Sequence, residues 1–150
     1  MIDAIKNVRR VLQSANYDVL QNVIDSENII GFEDDTKFGF VILYDTTISL
    51  MENWNADSEN IIDKFKFQLR NAGEKSWNMY LVYLSLDTPS DKERIKLAKI
   101  EENLSGTRKI AQSIIPDEHG VRAGLISLLT IQNPPVLEPV DITEEIKKRE

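Results

Sequence analysis

The chain has no cysteine and a single histidine, His119, in 150 residues. Without a thiol there is no disulfide framework, no cysteine-ligated zinc, no cysteine nucleophile and no iron–sulfur cluster. Long apolar runs are missing as well. The longest, at 40–44 and 79–84, are about strand length, well short of the roughly 20 residues that cross a bilayer. The first ten residues, MIDAIKNVRR, scatter charge among the apolar side chains and so lack the apolar core of a secretory signal. A cytoplasmic location with no membrane contact is expected. Positive charge is in deficit: 18 Lys and Arg against 25 Asp and Glu leave a net charge of −7. With a pI near 4.8, direct nucleic-acid binding by this chain alone is not expected.

Glycine is sparse, six in all, and the pairs Gly31/Gly39 and Gly120/Gly124 form neither a Walker A loop nor a dinucleotide fingerprint. No Gly-x-Ser-x-Gly elbow accompanies His119, so a serine triad lacks its usual frame. His119, beside Asp117 and Glu118, is expected to face solvent near a helix start. No cofactor is expected, and the chain reads as a non-enzyme.

What is present fits an ordinary globular domain: 41% hydrophobic and 29% charged residues in a length suited to one domain. Ile5, Val8, Leu12 and Ala15 recur at helical spacing, and Asn16 is a plausible stop because asparagine tolerates the left-handed conformation. Residues 17–27 carry no clear pattern. Two apolar stretches, 28–33 and 38–45, flank an Asp-rich link and predict a β-hairpin. Residues 40–44 within the second stretch, and 79–84 within 77–86, are apolar at consecutive positions, which predicts strands covered on both faces.

Asp45, Thr46 and Thr47 offer caps for a helix with Ile48, Met51 and Trp54 on one side. Ser58 offers a second cap, leading into Ile61, Ile62, Phe65 and Leu69 and ending at 71–73; one helix or two remains open. Ser90 and Glu93 form a capping box before a helix bearing Leu97, Ile100 and Leu104, closed by Gly106. Pro116 opens a further helix with Val121 and Leu125 inward. The expected architecture is α+β: a small mixed sheet, a hairpin plus a long central strand, packed by several helices. A single domain over 1–133 precedes a proline-rich extended segment and short helix at 134–150.

The acids Glu33, Asp34, Asp35 and Asp45 are the alternative metal site, since hard cations prefer carboxylate oxygens. A restriction-nuclease-like fold of the PD-(D/E)XK type places an acid on one strand and Glu-x-Lys on the next. The order helix, hairpin, helix, strand agrees, but 38–45 holds no Glu-x-Lys, and a polar turn explains the Asp residues. Trp77 and Asn78 enter the second long strand, where Trp77 is either a partner anchor or the end of the core. Glu101 and Glu102 close a helix against its dipole, and Arg108 and Lys109 follow. The two bases either pair with those acids and fix the turn or contact a protein or phosphate partner.

The strings Gly31-Phe32-Glu33-Asp34-Asp35, Gly39-Phe40-Val41, Trp54, 69–73, 75–80, Ile100-Glu101-Glu102 and 107–111 together look like a known family. Over about 28–132 the chain resembles the middle component of bacterial ABC-three-component conflict systems, encoded beside an SMC-like ATPase and an effector. The resemblance implies a non-enzymatic adaptor that links ATPase to effector in anti-phage defence, and it transfers no catalytic residue. Its expected partners are those two proteins, contacted through Trp77, Asn78, Glu101, Glu102, Arg108 and Lys109. Two alternatives belong to other classes. One is an active or degenerate metal-dependent nuclease using the four acids. The other is an immunity or inhibitor protein whose negative charge speeds association with a basic target.

Overall fold

Two strands that are apolar on both faces must lie side by side in the middle of a sheet and be covered from above and below. In the computed structural model, which describes residues 2–20, 28–35, 37–64, 79–103 and 108–125, they do. Strand β3 (Phe38–Tyr44) pairs in parallel with β4 (Met79–Ser85), from Phe38 opposite Met79 to Tyr44 opposite Ser85. The side chains then divide by alternation. Val41, Leu43, Tyr80, Val82 and Leu84 enter one apolar cluster; Phe40, Ile42, Met79, Leu81 and Tyr83 enter the other. Each large apolar side chain so buried contributes about 1.5–3 kcal/mol.

Among the described residues the sheet has five strands in the order β1-β2-β3-β4-β5. The hairpin is present: β2 (Ile29–Glu33) runs antiparallel to β3. Two strands were not anticipated. Strand β1 (Asp18–Leu20) adds three residues antiparallel to β2 inside the unpatterned stretch, and β5 (Arg108–Ser113) runs parallel to β4. The fold is therefore the expected α+β with a mixed sheet.

Helices cover both faces. α1 (Ile2–Ser14) and α4 (Glu118–Gly124) supply Ala4, Val8, Val11, Leu12 and Val121 to the first cluster. α2 (Thr47–Lys64) and α3 (Asp91–Glu102) supply Leu50, Ile61, Leu97 and Ile100 to the second. Asn16 ends the first helical segment with φ of 69°, the left-handed geometry that its side chain tolerates. The capping box of α3 is formed: Ser90 accepts from the Glu93 N–H while Glu93 accepts from the Ser90 N–H.

α2 departs from the expected pattern. Thr46 caps it, accepting the Ser49 N–H at 3.0 Å, and the helix is continuous through Ser58 to Lys64. Ser58 is thus no cap but a buried mid-helix residue whose hydroxyl bonds back to the Trp54 carbonyl. The buried face is Thr47, Leu50, Ser58 and Ile61; Ile48 is exposed, and Met51 and Trp54 are half-buried. Hydrophobicity alone picked the wrong stripe because two hydroxyl residues hold core positions. The expected helix end at 71–73, Phe65, Leu69, Leu104, Gly106 and the boundary at 133/134 with its tail lie outside the described residues.

Gly39 shows how closely β3 and β4 fit. A Cβ added there collides with the Tyr80 carbonyl oxygen and comes within 2.8 Å of Phe32 Cζ. We expect Gly39→Ala to lower stability by about 1–3 kcal/mol in urea unfolding; an unchanged midpoint contradicts this packing.

Candidate functional site

Because β3, β4 and β5 are parallel, their carboxyl ends lie on one side, and the turns that follow gather there. Asp87, just past β4, reaches to the start of α2. Its Oδ1 accepts the Thr47 N–H at 2.7 Å and the Thr47 hydroxyl at 2.6 Å. Since that hydroxyl proton is spent, the Ser85 hydroxyl donates to Thr47 Oγ1, 2.9 Å away. The Ser113 hydroxyl, from β5, donates to the Asp87 carbonyl, and the Ile114 N–H donates to Ser85 O at 2.8 Å. A carboxylate at a helix amino terminus also meets the positive end of the dipole. This hydroxyl–carboxylate brace ties the ends of β4 and β5 to the start of α2.

Beside the brace is a groove of about 460 Å³, lined by Asp87, Arg94, Leu97, Glu101 and Gln112 among others. Glu101 forms part of its wall. Its carboxylate takes the Ala111 backbone N–H and, at 3.3 Å, Gln112 Nε2. Burial raises its pKa, and the Ala111 bond partly opposes the shift.

Under α2, two phenols are buried. The Tyr44 hydroxyl donates to Asp57 Oδ2 at 2.6 Å, while Tyr83 shares a hydrogen bond with Ser58 and meets Trp54 edge-on at 5.9 Å. Burial, then the Asp57 bond and charge, push the Tyr44 phenol above its ordinary range. Tyr83 is pushed up to about 12, chiefly by burial, with Ser58 opposing and Asp57 adding to the shift. A second, shallower groove of about 250 Å³ runs between α2 and α3, lined by Met51, Trp54, Lys96, Lys99 and Ile100.

The residues singled out from sequence scatter over the molecule. Glu33, Asp34 and Asp35 sit at the hairpin turn, where Asp34 Oδ2 pairs with the buried Lys37 at 3.1 Å, and Lys37 lies 5.6 Å from the Tyr17 ring centre. Asp45 is exposed beyond the opposite end of β3, a strand of seven residues or about 20 Å. The four acids therefore do not form one site. Among the described residues no group of three or more His, Asp or Glu side chains is placed to hold a metal ion.

At the other end of the sheet, Arg108 does not pair with Glu101 or Glu102. Its guanidinium donates to the Tyr80 hydroxyl at 3.1 Å and lies 5.7 Å from that ring's centre. Lys109 is buried and donates to the Asn103 carbonyl at 3.0 Å, and burial lowers its pKa. Glu102 and Arg108 are exposed, as is His119 in the first turn of α4. Trp77 and Asn78 lie outside the described residues. Sequence reasoning missed the brace, although Asp45-Thr46-Thr47 and Ser85-Leu86-Asp87 both follow directly on fully apolar runs. It also missed the α2–α3 groove.

A family model described as ABC-three component (ABC-3C) system Middle Component 1 matches residues 37–122. The chain belongs to this family. The match takes in β3, α2, β4, α3 and β5 and reaches into α4, so the brace and both grooves fall within the middle-component region. No curated protein and no solved structure matches the chain. No helix among the described residues is long and apolar enough to cross a membrane.

Two outcomes follow from this geometry. Asp87→Ala removes the acceptor of the Thr47 N–H and hydroxyl at the start of α2; we expect a loss of about 1–3 kcal/mol in urea unfolding, partly recovered by Asp87→Asn. Tyr83 ionises later folded than unfolded, so its contribution is complete below 10.0 and drains as pH rises towards about 12. Stability measured across that window falls in the wild type and falls less in Tyr83→Phe; equal slopes contradict the assignment.

Proposed function

We propose that this middle component is a non-enzymatic adaptor that couples an SMC-like ATPase to an effector in a cytoplasmic anti-phage defence complex. The observation that carries the reading is membership of the middle-component family, matched from β3 into α4. The side-chain chemistry agrees with it. The hydroxyls and carboxylate of the brace are bound to one another and to backbone, and the buried phenols are bound to Asp57 and Ser58. These groups are committed to holding α2 on the sheet. The hairpin acids and Asp45, which a metal-dependent hydrolase would have to bring together, stand at opposite ends of β3.

An adaptor of this kind presents a rigid body and recruits its neighbours through exposed side chains, among which Glu102 and Arg108 flank the 103–107 link. Its net charge of −7 favours partners with basic faces or basic segments at long range.

The test is co-expression with the SMC-like ATPase and effector encoded beside it, followed by affinity capture and size-exclusion chromatography. A defined complex containing this chain is expected. Elution of the chain alone, with both proteins present and folded, overturns the adaptor role. Sustained Mg²⁺-dependent DNA cleavage by the purified chain overturns its non-enzymatic character.

A further inference from the structure

α2 and α3 cover the same face of the sheet and share one apolar cluster. Each starts at the carboxyl end of a strand in a parallel set, so the two helices point the same way and corresponding turns lie level. The groove between them has a floor of Met51, Trp54 and Ile100, and Lys96 and Lys99 on its α3 side. One turn before Met51 on α2, Ile48 is 56% exposed; one turn before Lys99 on α3, Ile95 is 59% exposed. Two of the four exposed large hydrophobic residues described thus lie on this helix pair. Isolated exposed apolar side chains need no explanation, but here one on each helix stands a turn away from a groove residue.

Charge distinguishes the groove further. In a chain of net charge −7, Lys92, Lys96 and Lys99 recur at spacings of four and three on α3, and all three are exposed. None of them makes an ion pair or side-chain hydrogen bond among the described residues. The acids of α3 are confined to its first and last turns. The floor combines a fixed aromatic with an adaptable thioether. Trp54 is held edge-on against Tyr83, so little ring freedom is lost on contact, while Met51 can conform to its partner. Tryptophan and methionine are both enriched in interface cores.

We propose that the α2–α3 groove docks an amphipathic helix of a partner subunit, with its apolar ridge on Met51 and Trp54 and its acidic flank on Lys96 and Lys99. Two level, co-directional helices offer a third helix a natural seat, read through anchors one turn apart. An anionic membrane would also find lysines beside apolar side chains, but a bilayer surface is flat, whereas these side chains line a groove between two helices. The inference rests on the adaptor reading and specifies the chemistry of one of its partners.

The experiment measures affinity of the full chain for each of the two co-encoded proteins by calorimetry at low and high salt, with anionic vesicles in parallel. Lys96→Glu/Lys99→Glu and, separately, Met51→Glu are compared with a control of equal charge change, Lys6→Glu/Arg10→Glu on α1. The expected result is at least about tenfold weaker binding to one partner for both groove variants, little change in the control, and a shallower salt dependence once the lysines are reversed. Wild-type affinity in both groove variants overturns the groove while leaving the adaptor role intact. Absence of any wild-type complex overturns both. Vesicle binding lost in the groove variants with partner affinity unchanged makes the occupant a membrane and overturns the helix.

Discussion

The parallel pairing of β3 with β4 is the constraint on which the rest of the molecule depends. Both strands are apolar on both faces, so neither can border water, and a parallel pair cannot be joined by a tight turn. The chain must leave the sheet, cross it and return. α2 lies on that route, and α3 repeats the move between β4 and β5. Both helices consequently fall on one face, leaving α1 and α4 to cover the other. The α2–α3 groove is a product of this arrangement, because two consecutive crossovers set two helices next to each other.

The same parallel order gathers the strand exits, and there the polar residues of the interior are concentrated. Thr47, Ser85, Asp87 and Ser113 come from two strand ends and one helix start, yet their donors and acceptors meet one another or backbone. Buried polar groups are tolerated when they are satisfied, and a satisfied set favours one arrangement over its neighbours. The Tyr44–Asp57 and Tyr83–Ser58 contacts do the same farther along α2. The helix is thus fixed to the sheet at its start and again near its middle, which gives the groove beside it a firm wall.

How much of this was legible in the sequence depended on whether burial and hydrophobicity coincided. They did for β3 and β4, and the Ser90–Glu93 box announced α3. They did not for β5, where Arg108 and Lys109 open the strand and Lys109 is buried with its amine bonded to a carbonyl. β1 is three residues long, one exposed and two half-buried, too short to show a period. On α2, Thr47 and Ser58 hold core positions while Ile48 faces outward, so the pattern pointed the wrong way. The acidic hairpin drew attention as a site, but its register with Lys37 is set by a turn. Apart from Gly31–Asp35, the strings that carried the family resemblance lie inside the region that the middle-component model matches.

The bond from the Ala111 amide to Glu101 bears on how this subunit behaves in a crowd. Backbone groups along a sheet border accept any extended chain, without regard to sequence, and unguarded borders lead to fibres. Here a stranger seeking that amide must first evict a half-buried carboxylate held in place by its own helix and by Gln112. Such a guarded flank lets a component be produced beside its companions and still choose them by shape and charge.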